Sequence, residues 1–284
     1  MRIDQFTDAA LILFGHGSSM SSGASAPILQ HADELRRRNI FASVHEAFWK
    51  QEPRVEAVLA GLAAPRVFLA PMLISEGFFS EDIIPRALGF RNSDAPEFLR
   101  FLRRGDQQLF YCKPVGTHDR MTEVLLGRAQ DVLRQFPFPR APKPGETTLF
   151  LAGHGTERNE KSRAAVERQV ELIRAKGVFG EVHCGFLDES PRILEMYAAT
   201  ENRNIVVVPF FISDGMHTQE DIPILLGEPV RIVKQRLANG QPPWRNPTEK
   251  KGKLVWYTPS VGIDPRMADV ILERVREAAG WSKP

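Results

Sequence analysis

The chain of 284 residues repeats itself, and that repeat restricts its architecture more than any single motif does. LILFGHGSS (11–19) matches LFLAGHGTE (149–157), and VHEAFWKQEPR (44–54) matches VHCGFLDESPR (182–192). APMLISEGFFSEDIIP (70–85) matches VPFFISDGMHTQEDIP (208–223), and all three pairs share an offset of 138 residues without a gap. YCKPVGTHDRM (111–121) and YTPSVGIDPRM (257–267) recur at an offset of 146, so the second copy gains eight residues within 224–256. ANGQPPWRNPTEKKGK (238–253), rich in proline, glycine and polar residues, is the natural place for them.

Each copy alternates short apolar runs with segments of helical period, the pattern of βα units on a parallel sheet. The expected fold class is α/β: two similar lobes, each a parallel sheet flanked by helices, related by internal duplication. Residues 1–136 form the first lobe and 147–284 the second. The proline-rich FPFPRAPKPGE supplies a linker over 137–146. In the second copy strands are expected near 147–152, 180–186, 204–211 and 253–258, with helices near 159–176, 191–200, 218–226 and 265–279. For the last helix Asp264 is the expected N-cap, with Pro265 at the first helical position and Gly280 just past the end. Its apolar face is Met267, Val270, Ile271, Val275 and Ala278.

Composition narrows the function classes. Hydrophobic residues make up 43% and charged residues 25%, with a net charge of +2 spread along the chain. No concentrated basic stripe offers a seat for nucleic acid. No apolar run approaches the ~18 residues that cross a bilayer, so a soluble protein of the cytoplasm, with no membrane partner, is expected. Two cysteines, Cys112 and Cys184, make neither a disulfide scaffold nor a four-cysteine cluster. Phosphate-loop, dinucleotide and nucleophile-elbow motifs are absent, leaving metal and acid–base chemistry.

In open parallel sheets the ligand crevice lies beyond the carboxyl ends of the strands. The residues there form two spaced triplets, His16/Glu46/Phe79 and His154/Cys184/His217, in which the first lobe has Phe79 where the second has His217. Two imidazoles with a sulfur or carboxylate nearby suit a divalent transition metal better than magnesium or calcium. Cys184 reads as a ligand or as a small buried filler. His45 and His183 fall on the opposite strand face by alternation.

GHG followed at the right distance by PFFISDGMHTQEDIP (209–223) resembles the class II chelatases, specifically the CbiX-type sirohydrochlorin chelatases, across most of both copies. The resemblance implies ATP-independent insertion of Co2+ or Fe2+, with Ni2+ also compatible, into a sirohydrochlorin-type tetrapyrrole in cobalamin or sirohaem biosynthesis. No cofactor is implied beyond that metal substrate. Position by position, the family's histidines correspond to His154 and His217, and its intervening acid matches Cys184 in this copy and Glu46 in the other. The expected catalytic set is therefore His154, His217 and Glu46, with His154 and His217 holding the metal. His16 and Arg158 are expected to bind the tetrapyrrole. Neither copy carries the full His/Glu/His set, so the alternative is a metal or tetrapyrrole carrier derived from a chelatase.

Overall fold

The computed structural model describes residues 6–17, 23, 25–92, 98–156 and 160–281. The first copy runs β1 (Phe6–Gly15), α1 (Ala26–Arg38), β2 (Phe41–Phe48), α2 (Val55–Ala60), β3 (Arg66–Pro71), α3 (Ile84–Ala87), β4 (Phe101–Arg104), β5 (Gln107–Tyr111) and α4 (Met121–Gln135). The second runs β6 (Thr147–Gly153), α5 (Glu160–Lys176), β7 (Glu181–Phe186), β8 (Asn204–Pro209), α6 (Ile222–Leu225), α7 (Val230–Ala238), β9 (Thr248–Lys250), β10 (Lys253–Tyr257) and α8 (Met267–Ala279).

The strands make two five-stranded sheets of the same topology, β2-β1-β3-β5-β4 and β7-β6-β8-β10-β9. Pairing is parallel except at the β4–β5 and β9–β10 hairpins on the edges. Every residue of β6 is buried, as a central parallel strand covered on both faces requires. Gly15 stands opposite Phe48 and Gly153 opposite Phe186, so both GHG turns leave the carboxyl edge of their sheet. The repeated Val-Gly after β5 and β10 also has a steric reason. A Cβ at Gly116 would stand 2.2 Å from the Ile74 carbonyl oxygen, and one at Gly262 only 1.5 Å from that of Ile212.

The expected lobes, 1–136 and 147–284, are not the compact units of the structure. One unit is the chain up to His118 together with the segment from Pro265 onward, and the other is Asp119–Asp264. The two copies have exchanged their last helices. α4 packs on β8, β10 and α5, where Thr122 Oγ1 donates to Gln169 Oε1 at 2.8 Å. α8 packs on β3, β5 and α1, anchored by buried Arg274, which donates to the Pro114 carbonyl (3.1 Å) and to Thr117 Oγ1 (2.6 Å). Helical periodicity identifies an apolar face but not which of two like sheets it covers. The proline-rich segment likewise lies inside the second unit, where Trp256 Nε1 donates to the Phe136 carbonyl.

Several local expectations shift for definable reasons. Asp264 does not cap α8, which begins after Arg266. It is buried, and its carboxylate lies 3.2 Å from Arg128 Nε of α4. Gly280 does follow the helix, and the five apolar residues of α8 are all buried. A 3-10 turn, Ile193–Tyr197, takes the place of a helix at 191–200. The segment expected as a helix at 218–226 opens with a π-helical turn, His217–Asp221, before α6. Among the described residues no helix is long and apolar enough to cross a membrane.

Candidate active site

β6 delivers His154 between two glycines that cannot be replaced cheaply. A Cβ at Gly153 would stand 2.8 Å from Val166 Cγ2. Gly155 has φ +69°, and a Cβ there would meet the Glu189 carboxylate at 2.7 Å. The His154 carbonyl accepts the N–H groups of Leu187 (3.0 Å) and Asp188 (3.2 Å), which ties the turn to the loop after β7. Glu189 closes the turn by accepting the Thr156 N–H at 3.0 Å.

His217 opens the π-helical turn, a geometry that recurs at functional sites. The Tyr257 hydroxyl donates to the Thr218 carbonyl (2.7 Å), and Thr218 Oγ1 accepts the Gly215 N–H (3.1 Å). These bonds hold the turn so that the two imidazoles meet edge to face. Their ring centroids are 4.9 Å apart with planes at 89°, and Phe211 packs 6.1–6.4 Å from both. Both side chains are over 40% exposed, open to a ligand.

The tautomers follow from the partners. His154 Nδ1 lies 2.7 Å from the Gly155 carbonyl, with the Asp188 carboxylate 3.4 Å away. His217 Nδ1 lies 2.7 Å from Asp221 Oδ2. Carbonyl and carboxylate oxygens only accept, so each neutral ring carries its proton on Nδ1 and presents the Nε2 lone pair. No third donor completes a cluster: among the described residues no three His, Cys, Asp or Glu side chains group around a metal-sized space. Burial pushes the Cys184 thiol up to about 11, and Cys184 lines a cavity with Phe150, Arg192 and Met196 whose walls include neither imidazole. Two nitrogens alone suit a cation that is taken up and passed on better than one held permanently.

The other expected site residues fall differently. Glu46 is paired with Arg36 of α1 rather than with His16. His16 packs edge-on against Phe79 at 4.9 Å, and Phe79 in turn against Trp49 at 6.1 Å. Burial, and then the Lys50 ammonium, holds the His16 imidazole below the ordinary histidine value. Arg158 lies outside the described residues. Sequence reasoning missed Asp188 and Asp221. Aligning the repeats residue by residue was enough to find them, because Lys50 and Ile83 stand at their places in the first copy.

The CbiX family model matches the chain twice, over residues 10–132 and 148–278. The chain belongs to the CbiX family. A CbiX relative from Halobacterium salinarum, described as a probable sirohydrochlorin cobaltochelatase, is 39% identical over 95% of this chain and 91% of its own length. A sirohydrochlorin cobaltochelatase of Methanopyrus kandleri is 31% identical over 46% of this chain and 96% of its own, so it corresponds to about one copy of the repeat. Among solved structures, DR2241 of Deinococcus radiodurans, described as similar to chelatases with two additional domains, superposes with a TM-score of 0.77 at 25% identity. That match covers 95% of this chain and 54% of the other. SirB of Bacillus subtilis, a sirohydrochlorin chelatase solved with cobalt, shares the fold at a TM-score of 0.63 and 19% identity, over 96% and 95% of the two chains.

Proposed function

We propose that the chain inserts a divalent metal, Co2+ in the first instance and Fe2+ or Ni2+ by the same chemistry, into sirohydrochlorin. The observation that carries this reading is the facing pair His154 and His217, each with Nδ1 bound to an acceptor and Nε2 left as the basic nitrogen. Names given to the CbiX relatives supply the ring and favour cobalt.

Metallation exchanges one dication for the two protons of the ring N–H groups, so the site must give up a metal and accept protons. Two imidazoles can do both in turn. Nε2 lone pairs hold the partly hydrated cation, and as it moves to the ring nitrogens the same lone pairs are released to take the protons. The imidazolium ions then formed face Asp221, and Asp188 beside His154, which stabilise the charge. No nucleotide is needed, because the gain of metal–nitrogen bonds drives the exchange. Glu46 is tied to Arg36 and takes no step in this scheme. A Glu46→Gln variant is therefore expected to keep the wild-type turnover.

An anaerobic insertion assay with sirohydrochlorin and Co2+, Fe2+ or Ni2+, followed by the ring absorbance, tests the proposal. Wild type is expected to metallate and the His154→Ala/His217→Ala variant to fail while still binding the ring. Full activity in that variant would overturn the site assignment. Ring binding without metallation by wild type would instead make the protein a carrier.

A further inference from the structure

We infer that a cavity of about 740 Å³ behind the His217 turn is the subsite that receives carboxylate arms of the macrocycle. This rests on the insertion of metal into sirohydrochlorin proposed above.

The cavity belongs wholly to the second unit. Its walls are the end of β10, one face of α4, and Gln241–Asn246 from the segment in which the second copy is longer than the first. That segment is fastened to the sheet. Asn246 Nδ2 donates to the Tyr257 carbonyl (2.9 Å), its Oδ1 accepts the Tyr257 N–H (2.7 Å), and Trp244 Nε1 donates to the Val255 carbonyl (3.0 Å). The wall is thus formed before any ligand arrives, which lowers the cost of binding.

The charges inside are unbalanced in a specific way. Asp131 is engaged by Arg134, and Asp214 Oδ1 accepts from the Ser260 N–H and the Thr218 hydroxyl. Arg128 is paired with Asp264. Arg236 and Arg245 also line the cavity, and neither guanidinium has a side-chain partner among the described residues. Two unneutralised arginines beside Pro259, Ile263 and Trp244 suit a ligand that is apolar in body and carboxylate at its edge.

Position selects the macrocycle over an unrelated acid. Gln219 of the cavity lies in the His217 turn, and Tyr257, another lining residue, holds the Thr218 carbonyl of that turn. A tetrapyrrole carries its reacting nitrogens at the centre and its carboxylates at the rim. Basic groups that orient it must therefore stand to one side of the metal-handling pair.

The test is a titration of metal-free sirohydrochlorin into wild type, Arg236→Gln/Arg245→Gln, and Arg231→Gln as a control for charge on α7, together with steady-state Co2+ insertion. The double variant is expected to raise the ring Kd and KM about 10- to 100-fold, with kcat and the KM for Co2+ unchanged and the control silent. Added salt should weaken wild type more steeply than the double variant. An unchanged ring Kd in the double variant would overturn the inference. So would loss of citrate binding, used as a free carboxylate probe, without loss of ring affinity, since the cavity would then be a separate anion site. If wild type binds the ring through these arginines but never metallates it, the insertion reading fails and the subsite stands.

Discussion

The GHG turns of the two units share a scaffold and differ in chemistry. Gly17 and Gly155 have the same φ of +69°, and Tyr111 and Tyr257 hold the carbonyls of Ser80 and Thr218 at the same 2.7 Å. On that common frame His217 is matched by Phe79, its carboxylate partner Asp221 by Ile83, and Asp188 by Lys50. The second imidazole, the carboxylate bound to it and the neighbouring negative charge thus all differ at the matching positions. The first unit keeps an imidazole, but its neighbour is an aromatic ring with no lone pair to offer, and the Lys50 ammonium repels an incoming cation. The residues that build the turn are thus separable from those that make it reactive.

Making the second site like the first should have the largest effect. His217→Phe is expected to lower kcat/KM for Co2+ insertion about 10²- to 10⁴-fold, the range for losing a positioned base, whereas His16→Ala should leave it near wild type. An equal loss from His16→Ala would erase the distinction between the units. Asp221→Asn keeps the shape of the site but removes the charge behind His217. Calorimetric titration with Co2+ should then show affinity about 10- to 100-fold weaker.

The reverse exchange asks whether the shared frame is enough. Lys50→Asp/Phe79→His/Ile83→Asp in the first unit should add a second, weaker Co2+ binding event per chain, and an unchanged stoichiometry would mean that the frame lacks something the second unit supplies.

The smallest effect concerns His16. Because its folded value lies below the unfolded 6.5, the unfolded chain binds that proton more readily. The His16 contribution to stability is therefore intact above the unfolded value and is lost as pH falls toward the folded one. Thermal melts taken from about pH 8 to about pH 5 should drop less steeply for His16→Gln than for wild type.

The parallel strands were legible because four apolar runs recur at fixed offsets, and the facing histidines because each follows such a run. Asp188 and Asp221 were legible in principle, as charge differences between aligned repeats, but a motif reading stops at the histidines. The partner of Glu46 was not legible, because its place in the spacing says nothing of Arg36, which reaches it from a different element. That the second copy is longer within 224–256 was legible, yet the role of Gln241–Asn246 as the wall of a cavity depends on Trp244 and Asn246 bonding back to β10. α7 and the edge hairpins lie in segments too short or too polar for periodicity to mark.

The exchange of last helices also sets an order of events on the ribosome. The unit carrying His154 and His217 is one continuous stretch, Asp119–Asp264, and can close as soon as that stretch has emerged. The earlier unit cannot. Its β3 and β5 must keep the seat of α8 open until the residues from Pro265 onward have been made, so the half of the protein translated first is the half completed last.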